Sequence, residues 1–323
     1  MKKNIAIVAG GNQSEVIVSL RSAAGIYSFI DKEKFNPYIV TIIGKEWTVE
    51  CAGEKITIDK NDFSFTHNNL KIIFDFAYIT IHGMPGEDGK LQGYFDLLEI
   101  PYSSCDVLAA ALTFNKFFCN SYLKSFGIQV AESILLRKGE SVSAGEVSEK
   151  LGLPCFIKPN AGGSSFGVTK VKSVEQILPA IEQAFTEGDE VIMESFLQGT
   201  EVTCGIYKTK NGKRVLPVTE VVSENEFFDF NAKYNGQVKE ITPARLSEEL
   251  TKKVQQLTSF IYDLIEAKGI IRIDYIITEG ETIHLLEINA NPGMTETSFI
   301  PQQVKAAKLN MMDVMTDVIE EGF

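Results

Sequence analysis

Apolar residues recur along this chain with two periods, and the stretch from Gly269 to Ser298 carries the period of a strand most clearly. Ile271, Ile273, Tyr275 and Ile277 share one face, which leaves Arg272 and Asp274 on the other. Glu279-Gly280 signals a turn, and Ile283–Ala290 reads as the returning strand. On it Leu286, Ile288 and Ala290 point one way, Glu287 and Asn289 the other. An even-length loop makes directly opposed residues share a face, with Asp274 beside or diagonal to Glu287. Arg272, Asp274, Glu287 and Asn289 are then expected on one patch of one sheet.

The two periods also divide the rest of the chain. Asn4–Ala9 is expected as a buried parallel strand ending in Gly10-Gly11-Asn12. A helix follows, with Ser14 as N-cap and Val16, Leu20, Ala23, Tyr27 and Ile30 as its apolar stripe. Pro37–Ile43 supplies a second strand and completes a βαβ opening. Trp47–Asp59 reads as a small hairpin, Phe76–Ile81 as another buried strand, and Leu91–Leu98 as a helix. Pro101–Cys105 reads as a linker, and Asp106–Phe126 as one helix stopped by Gly127. Strand Val130–Leu136, helix Ser143–Leu151, and strands from Pro154 and over Val168–Val171 come next. Pro179 should kink or restart the helix expected in Ser173–Glu187. Glu190–Glu194, Thr203–Tyr207 and Arg214–Val222 are further strands. Ser223–Ile241 lacks periodicity and is rich in aromatics, a pattern that favours an ordered lid. Glu248–Ala267 is amphipathic, with Leu250, Val254, Leu257, Ile261 and Leu264 inward, and a helical region after Pro301 closes the chain.

Length and charge narrow the function. At 323 residues the chain exceeds one comfortable core, so two or three domains are expected. A net charge of −12 argues against nucleic acid or an anionic membrane surface as the main partner. An anionic substrate then needs local positive charge or bound cations. Five scattered cysteines without a CxxC pair fit reduced thiols in a cytoplasmic protein. The run Ile5–Ala9 after Met1-Lys2-Lys3 is too short for a signal peptide, and no apolar run reaches membrane-spanning length.

Several stretches carry candidate chemistry. Four polar groups on the inner half of an apolar hairpin are costly to dehydrate unless compensated. Mg²⁺ would compensate them, since it takes carboxylate and amide oxygens and bridges substrate phosphates. Glu287 would bridge two ions roughly 3.5–4 Å apart, with Asp274 on one and Asn289 on the other. A solvated face with an Arg272–Asp274 or Arg272–Glu287 surface pair fits the same pattern. Glu15 either complements a helix dipole or aims a carboxylate across the strand ends, where open α/β sheets bind ligands. His82, in the loop His82–Gly89 at a strand end, is either structural or part of a ligand loop. Lys158 ends a strand before the Gly/Ser loop 160–167, whose backbone N–H groups can wrap phosphates. Neither GxGxxG nor GxxxxGK[ST] occurs. The strand leading through Glu194 to Leu197 can offer backbone groups to an adenine edge, with Glu201 near a ribose.

Taken in order, the motifs are Gly10-Gly11…Ser14-Glu15, His82-Gly83…Gly86-Glu87-Asp88-Gly89, Lys158-Pro159…Gly163-Ser164-Ser165-Phe166-Gly167, Lys233-Tyr234, Arg272-Ile273-Asp274, Glu287-Ile288-Asn289 and Pro292-Gly293-Met294-Thr295. With them the chain resembles the ATP-grasp superfamily, and within it the D-alanine–D-alanine ligases, nearly end to end. The resemblance implies an α/β and α+β fold, a three-domain ATP-grasp architecture with an N-terminal parallel-sheet (pre-ATP-grasp) domain. Its parts would be 1–104, a substrate domain; 105–195, a central lobe with the Gly/Ser phosphate loop; and 196–323, a lobe with the metal site and the lid 223–241. It implies a cytoplasmic homodimer that uses ATP and D-alanine, without nucleic acid or membrane, to make D-alanyl-D-alanine for peptidoglycan through an acyl phosphate.

By the same resemblance Asp274, Glu287 and Asn289 would hold two Mg²⁺ ions, with Mn²⁺ able to substitute. Lys116, Lys158 and Ser165 would meet ATP phosphates, Glu194 and the Leu197 backbone the adenine, and Glu201 the ribose. Glu15 would hold the first alanine's ammonium in a set with Ser164 and Tyr234, and His82 would lie near its carboxylate. Ser298 and Phe299, helped by Lys233, would bind the second alanine's carboxylate. Arg272 and the Gly293 N–H would receive the oxyanion. Thr297, Phe299 and Phe228-Asp229-Phe230 depart from the residues usual in the family, and Met84-Pro85 varies its histidine loop. Tyr234 favours an amine acceptor, D-alanine first and D-lactate or D-serine next. A non-catalytic ATP-binding regulator would have lost a metal ligand or Arg272, and the sequence keeps them all.

Overall fold

The computed structural model describes residues 2–11, 16–162, 167–223 and 238–323. β1 (Lys3–Gly10) is buried from Ile5 onward, as expected of a strand covered on both faces. Helix α1 (Val16–Phe29) leads to β2 (Phe35–Ile43), which pairs parallel with β1. The hairpin β3 (Glu46–Cys51) and β4 (Glu54–Thr57) follows, as expected. The ribbon β5 (Ser64–His67) and β6 (Leu70–Ile73) was not foreseen from the pattern. β7 (Phe76–Ile79) pairs parallel with β1 on the other side, giving the sheet order β4-β3-β2-β1-β7, and α2 (Lys90–Leu97) follows. Of the stripe expected on α1, Ala23 and Ile30 are buried as expected, but Leu20 and Tyr27 are exposed, and Ser19, Ser22 and Ile26 are buried in their place. The two serines find backbone partners inside, which makes their burial possible. Ser19 Oγ accepts from Gly10 N and donates to Thr80 O, and Ser22 Oγ accepts from Met294 N.

The single helix expected over Asp106–Phe126 is two, α3 (Val107–Phe114) and α4 (Lys116–Lys124). Asn115 stands between them in an extended conformation, bridged to Ala161, and its side chain caps α4 by accepting from Phe118 N. Both helices pack in one core with the third sheet. The strand expected over Val130–Leu136 is also divided, because the chain passes from one sheet to another there. β8 (Gln129–Val130) joins the third sheet and β9 (Ser133–Arg137) the second. That second sheet is completed by β10 (Cys155–Pro159), β11 (Thr169–Val171) and β12 (Glu190–Ser195), in the order β11-β10-β12-β9. Helices α5 (Ala144–Leu151) and α6 (Ile177–Ala184) cover it. Pro179 falls in the first turn of α6, after a short 3₁₀ turn at Val174–Gln176, so the helix restarts there as expected.

The third sheet contains β13 (Gly199–Thr209), β14 (Gly212–Val215), β15 (Thr219–Ser223), β16 (Val238–Ile241), β17 (Ile270–Thr278) and β18 (Thr282–Asn289). Its order is β16-β15-β13-β17-β18-β8, with β14 on β13. The end of the expected lid is therefore a strand, β16, paired with β15, while 224–237 lie outside the described residues. Helix α7 (Glu248–Leu264) packs on one face through Leu250, Val254, Thr258 and Ile261. Helices α8 (Phe299–Ala306) and α9 (Met311–Glu321) pack in one core with β1 and α1, joining the first and third sheets.

Candidate active site

The site begins with the β17–β18 hairpin, and its register is decided by one irregularity. The turn Glu279–Glu281 has three residues, not an even number, and pairs Ile277 with Ile283 and Tyr275 with Leu285. Continued unbroken, that register would set Asp274 against Leu286. A bulge between Asp274 and Tyr275 shifts it by one, so Asp274 faces Glu287 and Arg272 faces Asn289. The bulge also corrects the expected face of β18: Leu285 enters the core with Ile288 and Ala290, and Leu286 stays partly exposed. The four polar residues converge as expected.

Arg272 grips Asp274 with both arms, Nε to Oδ1 at 2.9 Å and Nη2 to Oδ2 at 2.8 Å. Thr203 Oγ1 donates to Oδ1 at 2.5 Å, and Asn289 Nδ2 to Oδ2 at 3.0 Å. The two side chains of the pair are only 14% and 13% exposed, so this is no solvated surface pair. Burial opposes the charge on Arg272 most strongly, yet Asp274, Glu287 and Glu201 outweigh it and hold the guanidinium above its ordinary range. The ring of Phe299 lies 5.1 Å from the guanidinium carbon.

Facing this hairpin, the second sheet and α4 bring two buried lysines. Lys158 Nζ lies 2.5 Å from Glu194 Oε2, and Asn120 Nδ2 donates to Glu194 Oε1 at 3.1 Å. Lys116 Nζ donates to Gly162 O at 2.6 Å and sits 3.8 Å from Glu287 Oε2. Burial pushes the Lys116 ammonium down, Glu287 opposes that, and the charge of Lys158 adds to it. Lys158 is raised instead, because Glu194 and Glu287 together outweigh its burial. Asn160 braces α4 against the second sheet, accepting from Phe117 N at 2.9 Å and donating to Glu190 Oε2 at 2.7 Å. Glu201, at the start of β13, pairs across to Val221 and Ile276, and Leu197 follows β12 half-buried.

The segment after β18 ties the hairpin to the first domain. Asn291 Nδ2 donates to Gly86 O at 2.8 Å and to Ile81 O at 3.3 Å, which clamps the histidine loop. His82 Nε2 lies 3.4 Å from Ser22 Oγ, the same hydroxyl that accepts from Met294 N. Gly293 lets the turn close: a Cβ there would meet Ser298 Oγ at 3.0 Å. Ser298 Oγ in turn accepts from Thr295 N at 3.1 Å.

Contacts thus link Lys116, Lys158, Glu194, Arg272, Asp274, Glu287, Asn289 and Phe299 into one network, with Ser298 next to Phe299 and with His82 and Gly293 on the side toward the first sheet. Glu15, Ser164, Ser165, Lys233 and Tyr234 lie outside the described residues. Thr203, Asn120, Asn160, Asn291 and Ser22 were missed. Only Thr203 had a sequence signal: apolar Val202, Cys204 and Ile206 alternate with it and put it on the opposite, polar face.

Two facing sheets, one carrying Lys158 and the other a carboxylate hairpin, joined to a mixed sheet in which only β2, β1 and β7 run parallel, form an ATP-grasp fold. Residues 4–105 match the family model of the D-ala D-ala ligase N-terminus, and residues 122–320 that of the D-ala D-ala ligase C-terminus. The chain belongs to the D-alanine–D-alanine ligase family. It is 67% identical over 324 residues to a D-alanine–D-alanine ligase of Bacteroides fragilis, covering 100% of both chains. Among solved structures it is similar to the VanG D-Ala:D-Ser ligase from Enterococcus faecalis, with TM-score 0.89, 30% identity and 100% of both chains covered. It is also similar to the D-alanine–D-alanine ligase from Bacillus anthracis complexed with ATP, with TM-score 0.78, 28% identity, and 99% of this chain and 97% of that one covered. Among the described residues no helix is long and apolar enough to cross a membrane.

Proposed function

We propose that this chain joins two D-alanines into D-alanyl-D-alanine, coupled to cleavage of ATP to ADP and phosphate, and so supplies a peptidoglycan precursor. Full-length kinship with a D-alanine–D-alanine ligase carries the reading. Two lysines, Lys116 and Lys158, set beside the Arg272–Asp274–Glu287–Asn289 hairpin support its chemistry.

The first alanine's carboxylate attacks the γ-phosphorus, so two anions must approach each other. Lys116 and Lys158 would draw in the phosphates and reduce that repulsion. Glu194 and the Leu197 backbone would meet the adenine, and Glu201 the ribose. The acyl phosphate is then attacked by the second alanine's amine, and a tetrahedral oxyanion forms before phosphate leaves. Arg272 and the Gly293 N–H would receive that oxyanion, and Ser298 and Phe299 would hold the acceptor. Glu15, Ser164 and Tyr234 would secure the first alanine with His82, Ser165 would add a phosphate contact, and Lys233 would help hold the second alanine. Water would destroy the acyl phosphate, which would give the part of 223–241 that precedes β16 a purpose as a lid.

The donor set suits a hard divalent cation: two carboxylates and one amide, all oxygen, on one face. Four donations from Thr203, Arg272 (two) and Asn289 fill the acceptor positions of Asp274. A cation on Asp274 therefore replaces one of them, and Asn289 is the donor whose amide also offers an oxygen. Bound there with Glu287, Mg²⁺ would neutralise charge between the phosphates and the attacking carboxylate. We further propose a cytoplasmic homodimer.

Mass spectrometry of products from ATP, Mg²⁺ and D-alanine, with D-serine and D-lactate as competing acceptors, tests the function. D-alanyl-D-alanine is expected to dominate. A mixed product in its place would move the acceptor assignment, and no ligated product at all would overturn the proposal.

A further inference from the structure

β13 has a gap on one edge. β15 pairs with it only over Glu201–Thr203, and β14 only from Ile206 onward. Unpaired backbone groups inside a sheet are costly unless something replaces the missing strand. The side chain of Gln303, on α8 and fully buried, fills the gap. Its Oε1 accepts from Gly205 N at 2.9 Å, while its Nε2 donates to Thr203 O and to Thr219 Oγ1, each at 3.1 Å. One amide thus does for two residues of β13 what a neighbouring peptide group would do. Gly205 makes room for it: a Cβ there would lie 2.7 Å from Gln303 Oε1 and 2.5 Å from Ile300 Cδ1.

The gripped stretch has a particular location. On its other edge Thr203 pairs with Asp274 and Gly205 with Arg272, and the Thr203 hydroxyl also holds the Asp274 carboxylate. The helix that carries Gln303 begins at Ser298, its N-cap, and Phe299, whose ring lies against Arg272. The next side chain, Gln302, extends the anchorage, donating to Glu240 of β16 and to Thr297 O. Gln303 therefore joins the strand that backs Arg272 and Asp274 to the helix that presents Ser298 and Phe299.

We propose that Gln303 is a positioning residue for the acceptor half of the reaction. It sets the distance between the Ser298–Phe299 end of α8 and Arg272, and through that distance the choice of acceptor. The inference rests on the ligase reading above. A buried amide that served stability alone would have no reason to affect one substrate more than another.

Gln303→Met keeps the side chain's length and removes its hydrogen bonds. Thr219→Val removes one of those partners from outside α8, together with the Thr219 hydroxyl's contact to Thr242 Oγ1. For Gln303→Met, which removes all three hydrogen bonds, the acceptor KM should rise on the order of tenfold. The KM for ATP and for the first D-alanine should stay within about twofold. The ratio of D-alanyl-D-serine to D-alanyl-D-alanine from mixed acceptors should rise, and Thr219→Val should move both readouts the same way by less. If Gln303→Met does not fold, Thr219→Val decides alone. An unchanged acceptor KM and product ratio, or all KM values moving together with a fall in melting temperature, would overturn the proposal. Wild-type enzyme that makes no dipeptide would instead overturn the ligase reading, so the two failures are distinct.

Discussion

Arg272 shows how one side chain acquires a role from its neighbours. Its fork matches the Asp274 carboxylate in two parallel hydrogen bonds, and Phe299 bounds it on another side. A guanidinium held this way needs no rearrangement as negative charge develops beside it. Arg272→Ala is expected to lower turnover by roughly 10²–10³, the usual effect of removing one oxyanion donor. Steady-state kinetics on folded protein check this, and near-normal turnover would contradict the assignment. At this scale the sequence was informative wherever chemistry follows local alternation. Arg272, Asp274, Glu287 and Asn289 announce themselves as charged or amide residues among apolar ones. Thr203 shows only its polar face by alternation, and Asn291 and Gln303 show nothing, because ordinary residue types become site parts only when folding brings them to partners 71, 205 and 98 positions away.

Elements were predicted well where one face meets one core, and less well where an element serves two neighbours. α1 was expected to bury its largest apolar residues, yet it turns its small face inward, because the loop after β18 crosses it closely. Gly25 marks that crossing: a Cβ there would sit 2.4 Å from Met294 O. In an isolated helix Gly25→Ala would gain about 1 kcal/mol from propensity. Here a contact with backbone oxygen cannot relax by a side-chain rotation, so the Met294 segment must move. The variant is expected to lose both stability and turnover, read by thermal melting and dipeptide formation. A gain in stability with full activity would show that the loop yields freely. The bulge in the β17–β18 hairpin is the other element-scale surprise. Its single extra residue, Leu286 of β18, cancels an odd-length turn, and no residue type nearby signals it.

The whole molecule must bring an anionic nucleotide up to an amino-acid carboxylate within a chain of net charge −12. The lysines of the second sheet and α4 answer part of that charge locally, and divalent cations on the hairpin would answer the rest. Chelation with EDTA is therefore expected to stop ADP formation, and excess Mg²⁺ to restore it; activity that persists in chelator would remove the metal assignment. The sequence by itself determined the family, most of the strands and helices along the chain, and the polar face of the hairpin, because these depend on periodicity and on short motifs. Only the tertiary structure decided the register that opposes Asp274 to Glu287, the face α1 buries and the amide that patches β13. Those outcomes turn on where distant segments meet, and a linear pattern holds no record of the distance between them.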